Sequence, residues 1–342
     1  MDILNTIKQI ASFADQTVRK TGAAHWSTVH FRKGEVFAQN PYGGACAPIE
    51  LKLDCGVSAP CLLKALRAIG GEPSFSLSKG SLTVQHGDTK AILPTSSNKN
   101  APKLHRPNGV AWKACVDLAQ AGRVSWAASV DETRMQLCGV WLGKNGIEAT
   151  NGFALARLGG VDFEEILKGK GCNVPVSMLR NIAKESWIAR DGNRLYIAND
   201  EHGKEFRSCN LISEAFPSTS QVIGDLNASP AILINRNQFL DLLKRAKLST
   251  TMFVISLLEN HLSLHADEAQ TATLFRFMDS IPLENTGVEL PADLRIGIDL
   301  RYLLPLVDNC TSDVVSLRIS DPLDPLVVQD GRYVGVVMPY RL

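Results

Sequence analysis

Tyr302-Leu303-Leu304-Pro305-Leu306-Val307-Asp308-Asn309, followed by β-patterned runs at 314–319, 325–330 and 333–338, spells a short amphipathic helix and then three strands. Leu300, Leu303, Leu304 and Val307 share one stripe of that helix, with Arg301 beside it. The same order occurs twice more. Residues 62–69 (Leu-Leu-Lys-Ala-Leu-Arg-Ala-Ile) precede β-runs at 74–77, 81–86 and 89–93. Residues 178–184 precede β-runs at 187–190, 194–199 and 204–211. A recurring block carries architecture, so the chain is expected to hold three like domains.

Working outward, a second helix is predicted ahead of each block, at 3–18, 112–121 and 237–248. Strand patterns fill the intervals: 135–142, 146–150 and 153–158 form one meander, and 252–257, 261–265 and 271–277 another. Gly143-Lys144-Asn145-Gly146 and Glu259-Asn260 supply turns. Two stretches without periodicity, 95–109 and 216–230, read as linkers. The expected domains are therefore 1–105, 106–222 and 223–342, each of ordinary domain size. Each has two helices and several antiparallel strands, an α+β design with both helices on one side of the sheets.

The 342 residues carry 36 Lys and Arg against 35 Asp and Glu, a net charge of +1. That balance excludes a polyelectrolyte tail, so any nucleic-acid role depends on where charge is placed. Residues 3–13 are interrupted by Asn5, Lys8 and Gln9 and read as an amphipathic helix rather than a signal peptide. No apolar run approaches the roughly 20 residues of a membrane span, and a cytoplasmic protein is expected. The 8 cysteines form no Cys-x-x-Cys pair and read as core or surface thiols. His261 and His265 lie in a strand pattern, not on a zinc-binding helix. No Gly-rich phosphate loop, metal cluster or Gly-x-Ser-x-Gly elbow is found, which argues against an enzyme and implies no cofactor.

The outer faces of the predicted helices share a sign. Ile3, Leu4, Ile7, Ile10, Ala11, Ala14 and Val18 form the buried stripe of the first, leaving Lys8 and Arg19 opposite. Lys64 and Arg67 point away from Leu62, Leu63, Leu66 and Ile69; Lys113 from Cys115, Leu118 and Ala119; Arg180 and Lys184 from Leu179 and Ile182. Lys244 and Arg245 oppose Phe239, Leu242, Leu243 and Ala246, and acids on these faces are few, chiefly Asp117 and Asp241. One reading is the ordinary charged exterior of amphipathic helices. The other is a common polyanionic neighbour met through sequence-independent phosphate contacts.

Three stretches carry a family likeness. Ala149-Thr150-Asn151-Gly152-Phe153-Ala154-Leu155-Ala156 resembles Ala-Thr-Asp-Gly-His-Arg-Leu-Ala of the bacterial β sliding clamps, the processivity subunits of replicative DNA polymerases. Phe216-Pro217 before Gln221-Val222 resembles that family's Phe-Pro-Asp-Tyr-x-x-Val. Asp321-Pro322-Leu323 and Val336-Val337-Met338-Pro339-Tyr340-Arg341-Leu342 resemble its Asp-Pro-x-x-Pro and closing Val-Met-Pro-Met-Arg-Leu. The likeness covers the second and third domains by motif and the first by topology.

The resemblance implies a homodimeric ring, closed head to tail, whose helices face duplex DNA with Lys8, Arg19, Lys64, Arg67, Lys113, Arg180, Lys184, Lys244, Arg245 and Arg301. It also implies an apolar pocket between the second and third domains for short peptides of the polymerase and clamp loader. By motif that pocket takes Leu137, Thr150, Gly152, Phe153, Ala154, Leu155, Pro217, Gln221 and Val222, with Leu323, Pro325, Val336, Met338, Pro339, Tyr340 and Arg341. Such Leu, Val, Met and Pro residues suit a concave apolar surface, and Met adapts to different guests. The chain departs from the family at Phe153-Ala154 (His-Arg), Gln221 (Arg) and Tyr340 (Met), and it starts with a helix where the family has a strand. The alternative function is a clamp-like peptide-binding scaffold that does not encircle DNA.

Overall fold

The computed structural model describes residues 3–21, 24–179, 182–224, 230–258, 260–266, 277–284 and 294–342. In chain order the elements are α1 (Ile3–Thr21), β1 (Thr28–Arg32), β2 (Glu35–Gln39), β3 (Gly43–Pro48), β4 (Cys55–Ser58), α2 (Ala59–Ile69), β5 (Ser74–Ser78), β6 (Ser81–His86), β7 (Thr89–Ser96), β8 (Lys113–Ala114) and α3 (Gly122–Ser125). Next come β9 (Gly139–Gly143), β10 (Gly146–Thr150), β11 (Ala154–Leu158), α4 (Phe163–Ile166), β12 (Cys172–Pro175), β13 (Trp187–Asp191), β14 (Arg194–Ala198), β15 (Phe206–Asn210) and α5 (Ser220–Ile223). The remainder are β16 (Ile232–Asn235), α6 (Arg236–Ala246), β17 (Met252–Leu258), β18 (His261–Ala266), β19 (Met278–Pro282), β20 (Arg295–Asp299), α7 (Leu300–Asp308), β21 (Val314–Arg318), β22 (Leu326–Asp330) and β23 (Tyr333–Val337).

The chain folds as two compact units, Met1–Ala119 with Ser177–Leu211, and Gln120–Val176 with Ile212–Leu342. The middle of the sequence therefore gives residues to both. In the first unit an 11-stranded antiparallel sheet runs β5-β6-β7-β4-β1-β2-β3-β15-β14-β13-β8. Helices α1 and α2 pack together, α1 over β1–β3 and α2 over β4, β6 and β7. Of the predicted stripes, Ile7, Ile10, Ala11 and Ala14 on α1 and Leu62, Leu63, Leu66 and Ile69 on α2 are buried, Ile3 and Leu4 are half-buried, and Thr6, Phe13 and Ala65 are buried besides. Pro60 presets the first turn of α2.

The second unit has an 8-stranded sheet, β12-β9-β10-β11-β23-β22-β21-β16, and a 4-stranded sheet, β19-β18-β17-β20. Helices α6 and α7 pack on each other, α6 also against β16 and β19 and α7 against β20 and β23. The Asn235 side chain caps α6 by accepting from the Asn237 and Gln238 amides at 3.1 Å, and Asp299 caps α7 at Arg301 N, 2.8 Å. At the middle of the larger sheet, Leu155 pairs with Val336 and Val336 with Val327. Strand alternation puts these on one face. Ala156, Gly335 and Val328 point to the other, where Leu306 of α7 lies over Gly335.

Several predicted elements differ. The helix expected at 112–121 is strand β8, then a 3₁₀ turn at Val116–Ala121, then α3. Tertiary contacts decide this. The Trp112 ring meets Tyr196 edge-on at 6.5 Å, and Cys115 exchanges bonds with Ser186 (N to O and Oγ to O, each 2.8 Å), holding the chain extended beside β13. Of the helix expected at 178–184 there is a 3₁₀ turn at Val176–Leu179, enough to bury Met178 and Leu179; residues 182–184 are not helical, and 180–181 lie outside the described residues.

The strand expected from 135 begins at Gly139, because Asp131 caps a 3₁₀ turn, Glu132–Leu137, through Thr133 N. The strand expected at 271–277 lies outside the described residues except Phe277, whose ring meets Phe253 at 5.8 Å. The start of the stretch 95–109 is tied down, while 101–109 form neither helix nor strand. β7 runs to Ser96, and buried Asn98 donates to Phe31 O and Asp54 Oδ1, both at 2.7 Å. Among the described residues no helix is long and apolar enough to cross a membrane.

Candidate peptide-docking site and basic surface

The motif residues of the expected pocket all fall in the second unit, and a turn organises them. Between β10 and β11, Asn151 Oδ1 accepts the amides of Phe153 (2.8 Å) and Ala154 (2.9 Å), and Thr150 Oγ1 accepts Gly152 N at 3.1 Å. Gly152 sits at φ +91°, a left-handed conformation that costs glycine least. A Cβ there would also lie 3.0 Å from the Arg134 guanidinium. The turn leaves Phe153 outward, 57 % exposed, stacked on Tyr302 of α7 at 5.9 Å and 11°. The Phe153 carbonyl accepts Met338 N at 2.8 Å, which brings the segment after β23 alongside.

One sheet face forms the floor. Leu155, Val327, Val334 and Val336 cluster there under Ile223 of α5. The approach to α5 is anchored by Phe216, stacked on Trp141 at 5.6 Å, and by buried Thr219. Thr219 Oγ1 accepts from Arg157 Nη2 at 2.8 Å and donates to Glu148 Oε2. Arg157 Nε and Glu148 Oε1 lie 3.1 Å apart, with side chains 16 % and 3 % exposed. So the polar stretch 216–223, read as a linker, is a strap across the floor.

The predicted residues separate into groups. Phe153, Met338, Val222 and Leu323 are large apolar side chains left exposed, and Pro217, Gln221 and Arg341 are exposed with them. Leu137, Ala154, Leu155 and Val336 are buried and serve as foundation, and Thr150 spends its hydroxyl on Ala154 O at 2.8 Å. Pro325 and Pro339 are half-buried. Tyr340 is turned to the 4-stranded sheet, its hydroxyl donating to Phe253 O at 3.0 Å. Sequence reasoning missed Ile223, Thr219, Arg157, Glu148 and Tyr302. Only Ile223, next to Val222 in the quoted motif, left a local signal.

Of the expected basic residues, Lys64 and Arg67 are exposed on α2, Lys244 and Arg245 on α6, and Lys8 is half-buried on α1. Arg301 begins α7, its side chain 63 % exposed and clasping Asp299 at 2.5–3.1 Å. Arg245 likewise binds Asp279 at 2.6 and 3.0 Å, and that hydrogen bond holds the Asp279 carboxyl below its ordinary range. Lys113 is exposed on edge strand β8 and Lys184 on non-helical chain, not on helix faces. The Arg19 side chain and Arg180 lie outside the described residues. No group of three or more His, Cys, Asp or Glu able to hold a metal lies among the described residues.

This architecture is the DNA sliding-clamp fold. The chain superposes along nearly its whole length on β subunits of DNA polymerase III. The β subunit of Thermotoga maritima aligns with a TM-score of 0.78 at 16 % identity, covering 99 % of this chain and 98 % of that one. The Pseudomonas aeruginosa sliding clamp bound to griselimycin aligns at 0.78 and 18 %, covering 100 % and 97 %. The Helicobacter pylori β clamp bound to a DNA ligase peptide aligns at 0.75 and 13 %, covering 99 % and 98 %. By sequence alone no family model matches the chain, and no curated protein does.

Proposed function

We propose that this protein is a divergent β-type DNA sliding clamp. In this reading it comprises three clamp domains, 1–105, 106–222 and 223–342, and two copies close head to tail around duplex DNA in the cytoplasm. It is a non-catalytic tether that needs no cofactor. The replicative polymerase and clamp loader dock by short peptides on the surface around Phe153, Val222, Leu323 and Met338. The observation that carries this reading is the near-full-length match of the fold to sliding clamps in spite of 13–18 % identity. Exposed Phe153 and Met338, brought together at the Gly152 turn, support the docking half of it. Exposed Lys64, Arg67 and Lys244 support the DNA half through counterion-releasing phosphate contacts.

A non-encircling peptide scaffold is the second reading. It is favoured by the carboxylate partners of Arg245 and Arg301, which reduce the cationic surface. The solution mass and retention on nicked circular DNA decide between them. A dimer retained on circles and lost on linearisation establishes the clamp; a monomer at micromolar concentration, not retained on circles, establishes the scaffold.

A further inference from the structure

The segment after β23 is held at two points. Met338 N donates to the Phe153 carbonyl at 2.8 Å. Two residues on, Tyr340 N donates to the Gly297 carbonyl at 2.9 Å and forms an isolated antiparallel bridge with β20. The Tyr340 hydroxyl reaches Phe253 O of β17 at 3.0 Å. Gly297 is the floor of this slot. A Cβ built there would lie 2.6 Å from Tyr340 Cε2 and 2.7 Å from Tyr340 O, so the missing side chain makes room for the ring. β17 and β20 are neighbours in the 4-stranded sheet, whereas Phe153 abuts β11 of the 8-stranded one. The short run 338–340 thus ties the two sheets of the second unit together.

We infer that Tyr340 is a positioning residue, a buckle that fixes residues 338–342 to the 4-stranded sheet and so presents Met338 beside Phe153 as a preformed wall. The inference rests on the peptide-docking reading of that site. The chemistry is specific to tyrosine. Its ring fills the space above Gly297, and its hydroxyl donates to a backbone carbonyl that an aliphatic side chain cannot reach as a donor. Pro339, between the two held residues, limits the backbone freedom of the link. With the buckle open, Met338 keeps one bond to Phe153 but the chain beyond it is unfastened. A ligand must then order that segment as it binds, and its affinity falls.

The test uses the whole protein and its Tyr340→Phe, Tyr340→Ala and Gly297→Ala variants. Hydrogen–deuterium exchange of 338–342 reads the buckle directly. Loss of the hydroxyl bond should speed exchange of the amide at position 340 about fivefold in Tyr340→Phe, and protection of that amide should vanish in Tyr340→Ala and Gly297→Ala while the Met338 amide keeps its own. Tyr340→Phe removes a single oxygen, so the outcome does not hang on how Gly297→Ala folds. Titration with a polymerase-tail peptide by calorimetry reads the consequence, with affinity expected to fall about tenfold in Tyr340→Ala and less in Tyr340→Phe. Unchanged exchange in Tyr340→Ala overturns the buckle, and a released segment with unchanged peptide affinity overturns the positioning role. Failure of the wild-type protein to bind the polymerase-tail peptide removes the docking reading instead, and the exchange result still decides the buckle.

Discussion

Replacing Asp330 by asparagine is expected to destabilise the second unit by about 2–3 kcal/mol. Asp330, 6 % exposed at the end of β22, gathers donors from two directions. Its Oδ2 accepts Thr311 N at 2.6 Å, Thr311 Oγ1 at 3.1 Å and Arg123 Nη2 at 3.1 Å, and its Oδ1 accepts Ser312 Oγ. Arg123 in turn lies 4.8 Å above the Tyr333 ring and donates to Asn309 O at 3.0 Å. The carboxylate therefore fastens α3 and the loop after α7 to the sheet. An asparagine can set its carbonyl at Oδ2 and turn its amide toward a rotated Ser312 hydroxyl, so the bonds survive in weaker, neutral form. A charged hydrogen bond contributes roughly 1.5–3 kcal/mol against about 1 for a neutral one, and Arg123 loses its counter-charge. Alanine removes every acceptor and should cost about 3–5 kcal/mol. Urea unfolding at constant slope measures both, and melting should fall by about 4–10 °C for asparagine.

Acid adds an independent arm. Burial alone would raise the Asp330 pKa, but the bonds from Ser312 and Thr311 and the Arg123 charge hold it below the ordinary value. A depressed folded pKa stabilises above the unfolded value of about 3.9, and that contribution is lost as pH falls through the folded pKa. The wild-type protein should therefore lose its advantage over Asp330→Asn below about pH 4. An Asp330→Asn protein within about 0.5 kcal/mol of wild type at pH 7, or a gap that does not narrow as pH falls below about 4, would refute the reasoning.

Other expectations follow from the same geometry. Phe153→Ala should lower stability by only about 1 kcal/mol, since its ring is half outside and the Tyr302 stack is worth about 0.5–1.5. Yet, on the proposed peptide-docking reading, it should weaken a polymerase-tail peptide by about 2 kcal/mol or more; equal affinity in calorimetry would remove Phe153 from the site. Glu148→Gln should cost about 3 kcal/mol by leaving Arg157 unbalanced, whereas Glu148→Leu with Arg157→Met and Thr219→Val, which leaves no buried hydroxyl unpaired, should recover most of that in the same urea assay. Charge reversal at Lys64, Arg67 and Lys244 should weaken DNA retention and flatten its salt dependence by about 0.9 log unit per lost phosphate contact. An unchanged slope in a salt titration would place those residues away from DNA.

Legibility in the sequence followed the range of the forces involved. The helices at 3–18, 62–69 and 237–248 appear within a few residues of their predicted bounds as α1, α2 and α6, because a 3.6-residue apolar stripe is a local signal. The hairpin of β17 and β18 was equally plain from the alternation of Leu262 and Leu264. At 112–121 the same method failed, because Trp112 and Ser186 are distant in sequence and decide the backbone there together. Strands β1 to β4 escaped prediction because their near-continuous burial, as in Phe37–Gln39 or Gly43–Ala47, leaves no alternation to read.

By itself the sequence determined the α+β class, the three strands that follow residues 69, 184 and 309, the near-neutral charge and the three motif stretches. Periodicity and turn chemistry act over a few residues, and no tertiary contact is needed to express them. Only the tertiary structure decided which motif residues face outward and which are foundation. Leu155 is roofed by Ile223, Tyr340 drops into the slot over Gly297, and Arg245 spends its charge on Asp279, 34 residues away. Each outcome depends on a partner remote in sequence, and burial or ion pairing exists only once the fold has brought the two together.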